Sequence, residues 1–241
     1  MAHDLEAPGT DAAPEWASLY RARGDEIVDH RPVFTGDVFF GVTIAGEDQP
    51  KNVMILQHPC AIRIDGITLM RKLLVAEVLP AQVLKPSKWV TGNYKELPLA
   101  DLQPGGSPAT YAAKFVEHEL VTPEELQTGV RVACLSQRGV NLLMQRWVHH
   151  NSRVIVPTWM YQEVSAPQFE EADMIEDWCT DREDDGIDPN SATLEVDAWL
   201  SEKLAGVPRR NRLKDEQDRA QVRRDLRDHL KTVRQESSPA N

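Results

Sequence analysis

The sequence has no Cys-x-x-Cys pair, no apolar run near the roughly 20 residues a membrane span needs, and no intact enzyme signature. Each absence narrows what the chain does. Cys60, Cys134 and Cys179 are odd in number and far apart, which argues against a disulfide framework or a zinc knuckle and leaves them as small buried hydrophobes. Apolar stretches such as residues 73–78 meet Glu or Pro within about six residues, so no membrane span is expected. Residues 1–6 carry neither the basic start nor the apolar stretch of a secretory signal, and the expected location is cytoplasmic. Gly-x-x-x-x-Gly-Lys-Ser/Thr, Gly-x-Ser-x-Gly and His-Glu-x-x-His are all missing. No cofactor and no metal are expected.

What is present is a chain of 241 residues, 41% hydrophobic, with 27 Lys and Arg against 38 Asp and Glu and a net charge of −11. That content supports a real core, in one domain of ordinary size plus a smaller unit. Residues 1–14 hold Pro8, Gly9, Thr10, Asp11 and Pro14 with almost nothing large and apolar, and read as a disordered tail. Trp16, Leu19 and Tyr20 share one helical face. From Val38 the pattern changes to β-branched and aromatic residues. Residues 38–44, 52–57 and 72–79 read as strands separated by turns at Gly46 to Pro50 and at Asp65-Gly66. Residues 60–63 extend that sheet.

Residues 80–110, with five prolines and Gly105-Gly106, read as an irregular excursion, followed by a short strand near 112–117. Thr122-Pro123-Glu124-Glu125 combines an N-cap, a first-turn proline and acidic residues, and predicts a short helix ending before Gly129. Residues 130–135 alternate as a strand. Val140, Leu143, Met144, Trp147 and Val148 then form the clearest helical stripe. Further helices are predicted over 168–180 and 193–204, with a loop at 184–191. Residues 209–234 predict one long charged helix with a thin seam that includes Leu226 and Leu230. The predicted fold is α+β: a short helix and a small SH3-like antiparallel barrel or sheet within residues 15–135, a helical unit over 136–206 packed on it, an amphipathic helix over 207–234, and a frayed end at 235–241.

Three groups of residues bear chemistry. His58 and Cys60 pair an imidazole with a thiol, half of a zinc shell that only His118, His149 or His150 complete; the plainer reading is a strand end with a buried thiol. Arg146, His149, His150 and Arg153 cluster toward the end of the stripe helix, as a face for an anion or acidic partner or as complements to the helix dipole. The acidic stretch 163–185 reads as a solvated face. The basic stretch 209–234 contacts nucleic acid or, more economically in so acidic a chain, folds back on the acidic one or meets a partner helix.

The order of parts from Gly36 to Leu79 resembles the start of the PemK/MazF-like toxins. These residues are the Gly36-Asp37-Val38 opening, the polar loop with Gln49 and Lys51, the strand Val53 to Leu56, and Leu74 to Val78. The resemblance implies an SH3-like barrel and cleavage of RNA, in which the 2′-hydroxyl attacks and a base and a cation assist. The chain departs from that family at its catalytic pair, with Lys51-Asn52 in place of Arg-Pro and Leu79-Pro80 where a Ser or Thr follows the strand. An endoribonuclease built on this plan draws on Lys51, His58 and Arg63, with RNA as its substrate. A metal-dependent hydrolase built from His58, Cys60, His149 and His150 is a third reading. The leading expectation is a non-catalytic interaction or regulatory protein, of the bacterial or phage accessory kind. It meets a protein partner, or a second copy of itself, through the C-terminal helix with Leu226 and Leu230 in its seam.

Overall fold

The computed structural model describes residues 4–92 and 94–237. The chain divides into two compact units: Met1–Ile27 with Val33–Ser165, and Val28–Pro32 with Ala166–Asn241. The predicted ends at 1–3 and 238–241 lie outside the described residues. The division therefore falls away from the boundaries at 135 and 206 that composition suggests. It lies inside one long helix, just before Pro167, whose missing N–H interrupts the backbone ladder.

The α+β expectation holds. The first unit is built on a seven-stranded antiparallel sheet that curls into a half-barrel. In chain order the strands are β1 Tyr20–Arg23, β2 Val38–Val42, β3 Lys51–Ile55, β4 Leu73–Pro80, β5 Glu96–Leu99, β6 Tyr111–Val121 and β7 Val130–Leu135. Their order across the sheet is β1-β7-β2-β3-β4-β6-β5. Alternation sends Phe39, Val53, Ile55, Leu73, Val75 and Val121 to one face, all buried. Trp16–Leu19 is a single 3-10 turn and Tyr20 already belongs to β1, so the predicted N-terminal helix is corrected. Residues 60–63 add no strand; Pro59–Ala61 is a 3-10 turn.

The Pro-rich excursion is more ordered than its composition suggests. It holds the short helix α1, Pro86–Val90, and β5. Strand β5 lies on the edge of the sheet, where only one side needs ladder hydrogen bonds and Pro98 is tolerated. The helix α2, Pro123–Leu126, has the predicted cap: Thr122 Oγ1 accepts from Glu125 N–H, and the Glu125 carboxylate accepts from Thr122 N–H at 2.7 Å. The stripe helix α3, Gln137–Ser152, is capped by Ser136, and its Val140, Leu143 and Met144 are buried.

The tail expected at 1–14 is corrected over its described part. Leu5 is buried, and Glu6 is a hub. Its backbone N–H donates to Gln145 Oε1 at 2.7 Å, and its carboxylate accepts from the backbone and hydroxyl of Thr158 at 2.9 and 2.7 Å. Asp11 accepts from the Ser87 backbone and hydroxyl, both at 2.7 Å. One buried leucine and two carboxylates with backbone donors are enough to hold a polar segment.

The second unit is helical. Helix α4 spans Thr158–Asp184 and enters this unit at Ala166; α5 is Pro189–Ser201, α6 Arg209–Arg212 and α7 Glu216–Ser237. A two-residue hairpin, β8 Lys203–Leu204 and β9 Val207–Pro208, turns at Gly206. The long helix expected over 209–234 is thus split. Its seam is not free: Leu213, Val222, Leu226 and Leu230 are buried with Trp178 and Trp199 in this unit's core. The acidic face of α4 is likewise not simply solvated. Arg210 pairs with Glu171 at 2.7 Å, Arg223 with Glu170 and Asp173, and Arg234 with Asp181 at 2.5 Å. The basic stretch folds back on the acidic one.

Candidate functional site

The sheet is irregular in one informative place. Ala76 of β4 pairs with His118 of β6, but the next residue, Glu77, pairs with Lys114. One step along β4 therefore spans four along β6, and Phe115, Val116 and Glu117 form a bulge, a device that re-aims side chains. Phe115 turns into the core, while Val116, Glu117 and His118 are exposed. The His118 Nδ1–H donates to the Phe115 carbonyl at 2.9 Å; because a carbonyl only accepts, Nε2 of the neutral ring is left as the acceptor.

The bulge borders a cleft of about 260 Å³ lined by Glu47, Lys51, Glu77, Val116, Glu117, His118 and Glu119. Lys51 enters it at the start of β3, with its Nζ 3.0 Å from Glu47 and 3.2 Å from Glu119. These carboxylates, Glu47 first, raise the ammonium pKa and compensate its charge. A cation so compensated is poorly placed to take up a developing phosphorane charge.

On the other side of the bulge the end of α3 gathers rings. Trp147 stacks on His150 at 5.9 Å and 12° and meets Phe115 and His118 edge-on at 5.4 and 5.8 Å. Tyr94 meets His149 edge-on at 5.3 Å and carries the Arg153 guanidinium over its face at 4.3 Å. Arg153 caps α3 with φ +63°, a left-handed conformation that favours glycine. The His149 and His150 Nδ1 atoms are buried without a hydrogen-bond partner among the described residues. Burial, then the charge of Arg153, holds the His150 pKa below its ordinary value; His118 and Lys95 add to the effect.

The residues singled out from sequence separate as follows. His149, His150 and Arg153 come together at the end of α3. Arg146 does not join them: it is fully buried, stacks on Trp89 at 4.5 Å and donates to the Trp89 carbonyl at 2.8 Å. Burial lowers its pKa to about 10. Leu226 and Leu230 are core residues and offer no contact surface. Lys51, His58 and Arg63 do not form one cluster. Lys51 opens β3 and His58 follows its far end, where a rise of about 3.3 Å per residue puts roughly 13 Å between the two strand ends. Arg63 is spent on the Val33 carbonyl at 2.9 Å.

His58 Nδ1 accepts from the Cys60 N–H at 3.2 Å and lies 3.1 Å from its Sγ. Burial raises the thiol pKa and lowers that of the imidazole, which favours a neutral pair. Cys60 is exposed, unlike the buried Cys134 and Cys179. Among the described residues no group of three or more His, Cys, Asp or Glu is arranged to hold a metal ion, and His58 and Cys60 are not joined by His149 or His150 in one.

Sequence reasoning missed Tyr94 and Lys95, whose irregular segment leaves no periodic signal, and named His118 only as a ligand to complete a zinc shell, because nothing in the sequence marks the bulge that exposes it. It also missed an apolar surface that follows Arg153. Val154, Trp159, Met160 and Val164 are 56, 59, 45 and 51% exposed. At 100° per residue, the last three lie within about 140° of arc on the first turns of α4. No family model matches the chain, and no curated protein matches it. Among the described residues no helix is long and apolar enough to cross a membrane.

Proposed function

We propose that this chain is an accessory or regulatory factor that acts by binding another protein and performs no chemistry of its own. The observation that carries this reading is the exposed surface at Val154, Trp159, Met160 and Val164. Four large apolar side chains within eleven residues, more than two-fifths exposed each, hold apolar area in water that a partner removes. Trp and Met are also side chains in which interfaces are rich, and Trp is prominent among those that dominate binding energy. The C-terminal seam, buried within its own unit, no longer supplies that surface.

The test compares the full chain with a Trp159→Ser/Met160→Ser double variant, by sedimentation velocity over a concentration series and by quantified affinity capture. The expected result is a stoichiometric partner, or a dimer of this chain, that the double variant loses. A wild-type chain that stays monomeric, together with an identical captured set for both forms, overturns the reading.

A further inference from the structure

The cations at the end of α3 pose a separate question. A helix C-terminus favours a positive charge, typically by about 0.3 to 1 kcal/mol when exposed, and this accounts for one of His149, His150 or Arg153. It does not account for Lys95, from the segment before β5, or for His118, from the β6 bulge. His118 meets Trp147, the ring that stacks on His150. Lys95, next to Tyr94 in sequence, accepts from the Phe115 N–H through its carbonyl at 2.9 Å, with Phe115 edge-on to His150. The charges of Arg153, His118 and Lys95 all disfavour the His150 imidazolium. Three cationic or proton-accepting groups from three parts of the first unit thus bear on one imidazole.

Neither Lys95 nor Arg153 has a carboxylate partner within ion-pair distance among the described residues. Elsewhere arginines are heavily paired: Arg31, Arg131, Arg182, Arg210, Arg212 and Arg223 each hold at least one carboxylate. In a chain of net charge −11, carboxylates are abundant, and like charges left together without one cost stability.

We propose that Lys95, His149, His150 and Arg153 form a binding site for a phosphate group, with Trp147 and Tyr94 as its ring walls. Arg153 and Lys95 supply two permanent positive charges, which match a dianion better than a single carboxylate. The guanidinium offers a fork of N–H donors and the ammonium a point charge. The Nδ1 atoms of His149 and His150, buried and without a hydrogen-bond partner among the described residues, are polar groups for which a bound phosphate supplies a partner. The Tyr94 ring under Arg153 holds the guanidinium in place. The phosphate is either free or carried by a nucleotide, whose base the neighbouring rings suit. This site is independent of the protein-contact surface on α4, and either stands if the other fails.

The experiment titrates the full chain near pH 6.5 with inorganic phosphate, with adenosine monophosphate, and with chloride at matched ionic strength. Histidine ring resonances and the unfolding midpoint are followed. Phosphate is expected to move the His149 and His150 resonances and raise the midpoint. A Lys95→Gln/Arg153→Asn variant is expected to bind about tenfold more weakly, Asn being chosen because it tolerates the left-handed cap. Lys95→Gln alone, at an exposed position, keeps the test valid if the double variant is unstable, and Lys231→Gln on α7 serves as the unaffected control. Equal binding of phosphate and nucleotide identifies the phosphate as the whole ligand; tighter nucleotide binding with quenched tryptophan emission identifies a nucleotide. If chloride moves the same resonances as far as phosphate does, or if a folded Lys95→Gln variant binds phosphate as tightly as wild type, the proposal falls.

Discussion

Gly139 of α3 lies against Leu19 so closely that a Cβ on the glycine falls inside van der Waals contact of the Leu19 carbonyl oxygen. The contact joins the stripe helix to the N-terminal 3-10 turn. It also explains a glycine inside a helix, where alanine is ordinarily better by about 1 kcal/mol. Here the Leu19 backbone cannot yield without moving β1. Gly139→Ala is expected to lower stability, by about 1 to 3 kcal/mol, where helix propensity alone predicts a gain. Urea unfolding of the two forms decides the sign.

Arg146 is a structural residue. Removing its side chain leaves the Trp89 carbonyl without its donor and opens a space against the indole. Arg146→Ala is expected to cost about 2 to 4 kcal/mol. Arg146→Met, which refills most of that space without a buried charge, is expected to recover a large part of the loss. Equal losses in the two variants, read from denaturant midpoints, exclude this account.

Leu226 sits in the core of the second unit with Trp178 and Trp199. Leu226→Ala is expected to destabilise that unit by about 2 to 5 kcal/mol and to leave the oligomeric state as it is in wild type. Sedimentation at a concentration where both forms are folded separates the two effects. A variant of normal stability with altered association restores the exposed-seam reading.

Two acid windows follow from the charges. His150 has its pKa held below 6.5 by burial, then by Arg153, His118 and Lys95, against which the Tyr94 backbone favours its charged form. The unfolded chain therefore binds that proton first, and the associated stability is present above pH 6.5 and declines as pH falls toward the folded value. Glu195 is shifted below 4.5, chiefly by its hydrogen bond with Arg182. Its contribution is present above pH 4.5 and fades below it. His150→Gln is expected to remove the first decline and Glu195→Gln the second, measured as urea midpoints from about pH 8 to about pH 3.

Strands β2, β3, β4 and β7 were legible because β-branched residues and turn signals mark them directly. The order of strands was not, since pairing depends on contacts far apart in sequence. The Thr122 cap was readable to the residue because a cap is a local device. Strand β5 and helix α1 were hidden by prolines whose tolerance depends on an edge position. Arg146 and Arg153 look alike as cations on one helix, seven residues apart, yet one faces Trp89 in the core and the other caps the helix over Tyr94. The periodicity of the stripe fixes a helix but not which of its polar residues meet a neighbour. The free seam of α7 was a misreading of the same kind, because its apolar mates on α4 and α5 come from patterns too weak to pair by eye.

Strand β7 lies between β1 and β2. A nascent chain emerging from the ribosome therefore carries β1 and one side of β2 as open strand edges until residues 130–135 are synthesised. Edges that wait through the synthesis of most of the first unit's sheet invite pairing with other chains, so crowded expression and low chaperone supply should mark this protein's most vulnerable moment.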